Sequence, residues 1–285
     1  FSASLSFSDF IRAKILTGFP WNLWAYSFSW SSEILQILNK VGLFAFNLIL
    51  ITMFTIPAVL FFGSTLSKKT FPILFVALIF LIFYVFGSHT INQNKIFLDK
   101  FNDKFNVKVI SPNFDLEYGL EIEDVENRLI KLIRYSEPND KIKTLFIWPE
   151  GVFSGFSYIE ILELKKIFKE NFSKHHFVLF GINRLEKRSG SYFNSMIIVN
   201  NNLDIIQEYH KQKLVPFGEF LPFEKLLKGF GLKTITNVYQ SYSKGEERKI
   251  IDLKYNNLSV KILPLICYEI IYSGKIFTNS NFDYI

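Results

Sequence analysis

The stretch from Val260 to Glu269 reads VKILPLICYE and decides the fold class predicted for this chain. Its apolar residues are typical of a buried strand, yet the run ends in Cys267, the only cysteine of the sequence, followed by a tyrosine and a glutamate. A polar pair does not fit a core strand that continues, so we interpret Cys267 as a reactive thiol that closes the strand. The alternative is a buried structural cysteine, because free cysteine most often behaves as a small hydrophobe.

Two charged groups follow strand-like segments upstream of the cysteine. Glu150 comes directly after the segment TLFIWP, and Lys211 follows a segment that ends at Tyr209. A thiol, a carboxylate and an ammonium supply the nucleophile, base and oxyanion stabiliser that thioester chemistry needs. We expect the pKa of Cys267 to be lowered beside the lysine and its proton to pass to Glu150, for which a solvated surface carboxylate is the alternative. The residues alone do not separate Lys211 from Lys213, because both lie on one side of an extended segment.

The remaining patterns predict an α/β layered domain with a mixed sheet. Strand-like segments span Val107–Ser111, Thr144–Trp148 and His176–Ile182, and two hairpins span Ser191–Val199 with Leu203–Tyr209 and Arg248–Leu253 with Leu258–Ile266. Apolar residues at helical spacing predict helices over Glu121–Tyr135 and Tyr158–Phe172. Asn200–Asn202 supplies residues that tolerate positive φ to the first hairpin turn, and Asn256–Asn257 forms the second.

The composition is too apolar for an ordinary soluble domain, with 33 phenylalanines, 18% aromatic residues and a mean hydropathy of +0.20. Two uncharged runs, Val41–Gly63 and Thr70–Ser88, can each cross a hydrocarbon core of roughly 30 Å. We therefore predict a membrane region at residues 1–89 and a catalytic domain at 90–285. The membrane region comprises an aromatic-rich interfacial segment at 1–32 and transmembrane helices at about 33–63 and 70–88. The alternative is two core helices of a soluble protein.

The charges between the two runs predict the orientation. Lys68 and Lys69 lie in the link Ser64–Lys69, which the positive-inside rule assigns to the cytoplasm, although Lys40 argues mildly for the opposite orientation. The catalytic domain would then lie outside. The net charge of +6 has no dense basic run, which favours weak attraction to anionic lipid over nucleic-acid binding. The four histidines show no metal-ligand spacing, so we expect no metal site.

Three strings carry a resemblance to a known family: YHKQKLVPFGEFLP at Tyr209–Pro222, ICYE at Ile266–Glu269 and GFPWN at Gly18–Asn22. They resemble the apolipoprotein N-acyltransferases, membrane enzymes of the nitrilase superfamily of carbon–nitrogen hydrolases. The resemblance runs from about Thr17 to the last residue, and its VPFGE string goes beyond what soluble nitrilases share. The chain begins with Phe1 and stops within the strand-like FDYI, so we expect a fragment that lacks both ends.

The resemblance implies roles for individual residues. It makes Glu150, Lys211 and Cys267 the catalytic triad, with Lys211 and not Lys213 as the catalytic lysine. The resemblance also implies supporting roles in the active site for Glu219, Tyr268, Glu269 and Asn194. An exposed acid is the alternative for each of the two glutamates. An aromatic residue, usually tryptophan, follows the first strand of the domain in this family, and Tyr118 is its nearest counterpart here.

The resemblance also implies a fold and an activity. The fold would be a nitrilase-like αββα sandwich, incomplete at its C-terminus and preceded by transmembrane α-helices. The activity would move a fatty acyl chain from a membrane phospholipid, through a cysteine thioester, to the N-terminal amino group of a diacylglyceryl-cysteine apolipoprotein. It needs no cofactor and would take place at the bacterial inner membrane, in a multi-pass protein with its catalytic domain in the periplasm.

Two other functions compete with acyl transfer. A membrane-tethered nitrilase-type amidase would use the same three residues to hydrolyse a small amide. A catalytically inactive binding domain is disfavoured, because all three reactive positions are filled.

Overall fold

The computed structural model describes residues 1–15, 18–58, 61, 66–99, 106–115, 119–223, 241–255, 258–272, 276 and 282–283. They belong to two units, one of Phe1–Asn102 with Ile271–Phe277 and the other of Asp103–Ile270 with Thr278–Ile285. The turn residues Asn256–Asn257 and the aromatic Tyr118 lie outside the described residues.

The first unit is helical. Among the described residues its α-helices are α1 (Ser2–Arg12), α2 (Ser32–Leu35), α3 (Leu38–Val41), α4 (Leu43–Thr55) and α5 (Leu66–Asp99), with 3-10 turns at Trp24–Phe28 and Ile56–Ala58. Near its other end in sequence, the ring of Tyr272 meets the ring of Phe19 edge to face, with centroids 6.4 Å apart.

Helix α5 contains the candidate membrane span. Its segment Thr70–Ile96 has 27 residues and a mean hydropathy of 2.5, and among the described residues it is the one helix long and apolar enough to cross a membrane. About 20 residues suffice at 1.5 Å per residue. Because the helix begins at Leu66, Lys68 and Lys69 lie in its first turn and not in a loop. It also continues through the expected domain boundary at residues 89–90.

The helix expected over about 33–63 is interrupted. Gly42 has φ 78° and ψ 166°, a conformation that side chains with a Cβ avoid, and it separates the short α2 and α3 from α4. The apolar helix that follows covers Leu43–Ala58 and tightens to a 3-10 turn around Pro57. The prediction of a continuous helix from residue 33 is therefore wrong, because an uncharged run does not report the backbone angle of a glycine within it.

A buried polar network joins three elements of this unit. Asn47, on the apolar α4, donates from Nδ2 to Asp9 Oδ2 at 3.0 Å and accepts the backbone N–H of Ala25 at 3.1 Å. Arg12 completes the network with an ion pair to Asp9 at 3.0 Å. The buried side chains of Asp9 and Asn47 thereby both have partners, as burial away from water requires.

The second unit is built on a five-stranded mixed sheet in the order β1-β2-β3-β4-β5. Its strands are β1 (Asn106–Val109), β2 (Thr144–Ile147), β3 (His176–Glu186), β4 (Ser191–Val199) and β5 (Ile205–His210). The first three are mutually parallel, and β4 and β5 join by antiparallel pairing. A separate antiparallel pair consists of β6 (Ile251–Tyr255) and β7 (Leu258–Ile262).

Residues of the five-stranded sheet alternate between two cores. Phe146, Val178 and Ile197 pack toward α6 (Ile122–Ser136), α7 (Tyr158–Ile161) and α8 (Lys165–Asn171). Leu145, Phe177, Met196 and Ile198 pack against the β6–β7 pair, whose core residues are Ile251, Leu253, Val260 and Ile262. The described part of this unit therefore has the layer order helix, sheet, sheet; the fourth layer of the expected αββα sandwich is not among the residues described.

Several elements differ from the predictions, among them the following three. The helix expected over Tyr158–Phe172 is divided by a 3-10 turn at Leu162–Leu164, where Leu164 leaves helical geometry at ψ 8°. The left-handed residue of the first hairpin is Leu203, at φ 59°, beside the asparagines that were expected to take that conformation. The strand expected from Arg248 begins at Ile251, and residues 241–250 form no regular element.

Candidate active site

Two of the predicted catalytic residues follow strands that end at the same edge of the five-stranded sheet. Glu150 lies three residues past β2, and Lys211 directly follows β5. Two antiparallel pairings in succession make β5 run in the same direction as β2 and β3. Gly181 on β3 lies under Glu150, because a Cβ added there would be 3.9 Å from Glu150 Cα. The backbone N–H of Lys211 donates to the carbonyl of Asn194 on β4 at 2.9 Å.

Cys267 begins a 3-10 turn, Cys267–Ile271, that follows the second sheet. Its φ of 52° puts a non-glycine residue in the left-handed region, an arrangement that the surrounding structure must hold in place. Its side chain is accessible. The strand expected to run to Ile266 ends at Ile262, before the cysteine and its polar pair, and the thiol lies on a turn and not in a core.

The thiol interacts with both other members of the predicted triad. Partial burial raises the pKa of Cys267, the negative charge of Glu150 raises it further, and the Lys211 ammonium lowers it. The backbone N–H of Tyr268 also lowers this pKa by hydrogen bonding to the sulfur, while a hydrogen bond with Glu150 raises it. The net direction is upward, so the expectation of a lowered thiol pKa is wrong. Burial and the adjacent carboxylate outweigh the lysine.

Lys211 and Lys213 differ clearly in their surroundings. The Lys211 side chain is 1% exposed, and its Nζ lies 2.8 Å from Glu219 Oε1. Glu219 also accepts from Asn194 Nδ2 and from the backbone N–H of Val215, each at 2.8 Å. Lys213 is half-buried. A buried ammonium needs such a paired carboxylate, because an uncompensated charge away from water is strongly destabilising.

Glu269 is fully buried, which excludes the alternative of an exposed acid at this position. Its carboxylate accepts from the Tyr209 hydroxyl at 2.8 Å and from the backbone N–H groups of Gln212 and Lys213, each at 2.9 Å. It also accepts the backbone N–H of Ile266 at 3.0 Å. One side chain thus ties the residue before Cys267 to the residues after Lys211.

Several residues around the site were not predicted from the sequence. Arg248 pairs with Glu269 at 3.1 Å, but it stands in a run of charged residues that is typical of an exposed segment. Burial raises the pKa of Tyr242 to about 12, and its hydroxyl donates to Asn183 Oδ1 at 2.9 Å. Tyr209 belongs to the quoted string YHKQKLVPFGEFLP, and that membership was the only signal for it.

Among the described residues, no group of three or more His, Cys, Asp and Glu side chains could hold a metal ion. The polar groups of the site instead bond to one another. The arrangement supplies an accessible thiol, a carboxylate hydrogen-bonded to it and a buried ammonium that acts on it electrostatically.

A family model described as carbon-nitrogen hydrolase matches residues 123–281 of this chain, which is more than half of its length. The chain belongs to the carbon–nitrogen hydrolase family. Its α/β unit with two facing sheets is the corresponding domain.

Curated relatives extend the similarity to most of the chain. An apolipoprotein N-acyltransferase of Rhodopseudomonas palustris is 28% identical over 293 residues, covering 98% of this chain and 53% of the relative. One of Rickettsia prowazekii is 28% identical, covering 95% of this chain and 53% of the relative. The chain therefore spans about half the length of the curated relatives it matches. Among solved structures, an N-terminal amidase with an Asn-Glu-Ala peptide is 16% identical with a TM-score of 0.34, covering 55% of this chain and 38% of the amidase.

Proposed function

We propose that this chain carries the reactive part of an apolipoprotein N-acyltransferase, with Glu150, Lys211 and Cys267 as its catalytic residues. The observation that carries the proposal is the similarity to relatives of that name along 98% and 95% of the chain. It would transfer a fatty acyl chain from a phospholipid to the N-terminal amino group of a diacylglyceryl-cysteine apolipoprotein. The site geometry supports it, since a thiol, a carboxylate and a buried ammonium interact at one place.

In the first half-reaction, the Cys267 sulfur attacks the ester carbonyl of the phospholipid. The raised pKa of Cys267 keeps the resting thiol protonated near neutral pH, so Glu150 must take the proton as the carbon–sulfur bond forms. Lys211 has three N–H donors, of which one is directed to Glu219, and in the proposed mechanism another donates to the oxyanion. The carbon–oxygen bond then breaks, and lysophospholipid leaves with the proton from Glu150.

In the second half-reaction, the free amine of the acceptor attacks the thioester carbonyl. Glu150 takes a proton from the attacking nitrogen, and Lys211 again stabilises the oxyanion. The carbon–sulfur bond breaks, the acyl group is left as an amide, and the proton on Glu150 returns to the Cys267 sulfur. The site thereby regains its starting protonation state.

The apolar first unit supports a lipid substrate over a small amide. Large apolar side chains along α5 are exposed, among them Phe71, Leu74, Leu81 and Val85. Such a surface is stable in hydrocarbon and would hold the site where both lipid substrates lie. We propose a multi-pass protein of the bacterial inner membrane, with Lys68 and Lys69 at the cytoplasmic end of α5 and the catalytic unit in the periplasm.

The test is a two-step labelling experiment on the membrane-inserted protein. Phospholipid with an alkyne-tagged acyl chain is added first, and mass spectrometry should find a hydroxylamine-sensitive acyl group on Cys267. A diacylglyceryl-cysteine peptide is then added, and the tag should move to it as a hydroxylamine-resistant amide. Release of the tag as free fatty acid in the presence of the peptide would instead identify a hydrolase.

A further inference from the structure

Residues 241–250 run beside the segment from Lys211 to Glu219 and bond to it through their backbone. The N–H of Tyr242 donates to the carbonyl of Glu219 at 2.8 Å, and the N–H of Gly245 donates to the carbonyl of Lys211 at 2.9 Å. A Cβ on Gly245 would lie 2.1 Å from the carbonyl oxygen of His210, so only glycine fits this close approach. The segment is therefore fixed against both members of the buried Lys211–Glu219 pair.

Arg248 extends from this segment into the interior. Its side chain is 7% exposed and forms an ion pair with the fully buried Glu269 at 3.1 Å. Its guanidinium also lies over the Tyr209 ring, 5.8 Å from the centroid. A cation at this depth is stable because a carboxylate compensates its charge, and that carboxylate in turn loses its compensation if the cation is removed.

Glu269 links Arg248 to two reactive loops, the turn that begins at Cys267 and the segment that begins at Lys211. Its carboxylate holds the N–H of Ile266, directly before the nucleophile, and the N–H groups of Gln212 and Lys213, directly after Lys211. A change in its charge balance would therefore move the thiol relative to the ammonium. Arg248 itself forms its ion pair with Glu269 and not with a member of the predicted triad.

We propose that Arg248 is a positioning residue for this site, which keeps the Cys267 turn and the Lys211 segment in register by balancing the buried charge of Glu269. The proposal rests on the proposed function for its catalytic consequence. Its electrostatic consequence, a shift in the titration of the thiol, does not depend on any lipid substrate.

The experiment compares Arg248→Gln with Arg184→Gln in the membrane-inserted protein. Arg184 is the control, because it also pairs with a glutamate and an aromatic ring, at 3.3 Å from Glu208 and 4.9 Å from the Tyr158 ring centroid. These partners lie on β5 and α7, and neither belongs to the Cys267 turn or to the segment that begins at Lys211. R248Q should lower kcat for acylation of Cys267 by about 10- to 100-fold with KM for phospholipid unchanged, since displaced reacting groups cost rate and not binding. R184Q should leave both parameters at the wild-type values.

The second readout is alkylation of Cys267 by iodoacetamide across pH. R248Q leaves the Glu269 carboxylate uncompensated two residues from the thiol. Its negative charge then adds to that of Glu150 in disfavouring the thiolate, and only Lys211 opposes them. The pH midpoint of alkylation should therefore rise by about half a pH unit or more. Arg248→Lys should restore this midpoint and fold with the wild-type melting temperature, yet acylate about three- to tenfold more slowly, because a point donor cannot both pair with Glu269 and cover Tyr209.

The outcomes separate this proposal from the proposed function. Wild-type kcat and an unshifted midpoint in a folded R248Q overturn the role of Arg248. If R248Q does not fold, a wild-type acylation rate in R248K overturns it, and a reduced rate at unchanged melting temperature supports it. A wild-type protein that forms no acyl-thioester refutes the proposed function alone, since the alkylation profiles still test Arg248.

Discussion

At the scale of single residues, the sequence predicted which groups form the candidate site but not how they shift the pKa of the thiol. Glu150 and Cys267 were found because each follows a strand-like segment, whereas Lys211 was separated from Lys213 only by the family resemblance. The structure shows all three interacting. The pKa of Cys267 could not be predicted in sign, because it depends on burial and on the relative proximity of two opposite charges. Arg248 was missed, since its buried partner is remote in sequence and its neighbours in sequence are charged.

The nucleophile prediction concerns Cys267→Ser. A serine hydroxyl loses its proton far less readily than a thiol, so this variant should lose acyl transfer by about 10³-fold or more. Formation of the acyl-enzyme from tagged phospholipid measures the loss. A serine variant that transfers at a rate near that of the wild type would contradict the thioester mechanism.

Replacing Glu150 by Gln should make Cys267 ionise at lower pH and yet prevent its acylation. Because the Glu150 charge and its hydrogen bond raise the pKa of Cys267, their removal should lower the pH midpoint of alkylation. The same variant should form no acyl-enzyme, since the base is gone. An unchanged midpoint would mean that the carboxylate does not act on the thiol, and normal thioester accumulation would remove Glu150 as base.

The two lysines can be separated by Lys211→Arg and Lys213→Arg. The wide guanidinium does not match the enclosed position that the ammonium occupies beside Glu219, so K211R should lower kcat by about 10²- to 10³-fold while the protein still inserts. K213R is the matched control and should be tolerated, because that side chain is only half-buried. The reverse pattern would move the oxyanion assignment by two residues.

At the scale of elements, periodicity predicted the strands well and their irregular ends poorly. β4 spans Ser191–Val199 as predicted, whereas β6 starts at Ile251 and not at Arg248. Residues 241–250 bond to Tyr192 on β4 at a single point and to the loop residues Glu219 and Lys211, without forming a strand ladder. Alternation of side chains does not reveal that choice of partners. The break at Gly42 has the same origin, since a single backbone angle interrupts an otherwise uniform apolar run.

The tight approach of residues 241–250 predicts a loss of stability in Gly245→Ala. The added methyl group would force Gly245 and His210 apart, which should lower the free energy of unfolding by about 1–3 kcal/mol. Gly218→Ala is the control, because its Cβ would meet Val215 Cγ1 at 3.4 Å, an ordinary contact. Thermal unfolding in detergent measures both, and equal melting temperatures for the two variants would contradict the close approach.

At the scale of the whole molecule, the α/β unit with its reactive edge and the apolar helix were both expected from the sequence. The helix Thr70–Ile96 covers the predicted span 70–88 and extends beyond it. The extension was not predicted, because polar residues from His89 onward end the uncharged apolar pattern while the helix itself continues.

The orientation of that helix is open to a direct test. A reporter fused after Asn106 should read as external and one inserted at Lys68 as cytoplasmic, because the lysine pair at the N-terminal end of α5 favours the cytoplasm. Alkaline phosphatase and green fluorescent protein fusions give complementary signals for the two sides. The opposite result would put Cys267 in the cytoplasm and exclude lipoprotein maturation.

The contact between Phe19 and Tyr272 has a consequence for biosynthesis. The first unit takes one of its pieces, Ile271–Phe277, from beyond the nucleophile turn. On the ribosome, its N-terminal helices emerge long before that piece does, so Phe19 can contact Tyr272 only after Asp103–Ile270 has been translated. The first unit can therefore reach its final packing only when the segments that contain Glu150, Lys211 and Cys267 have already been made.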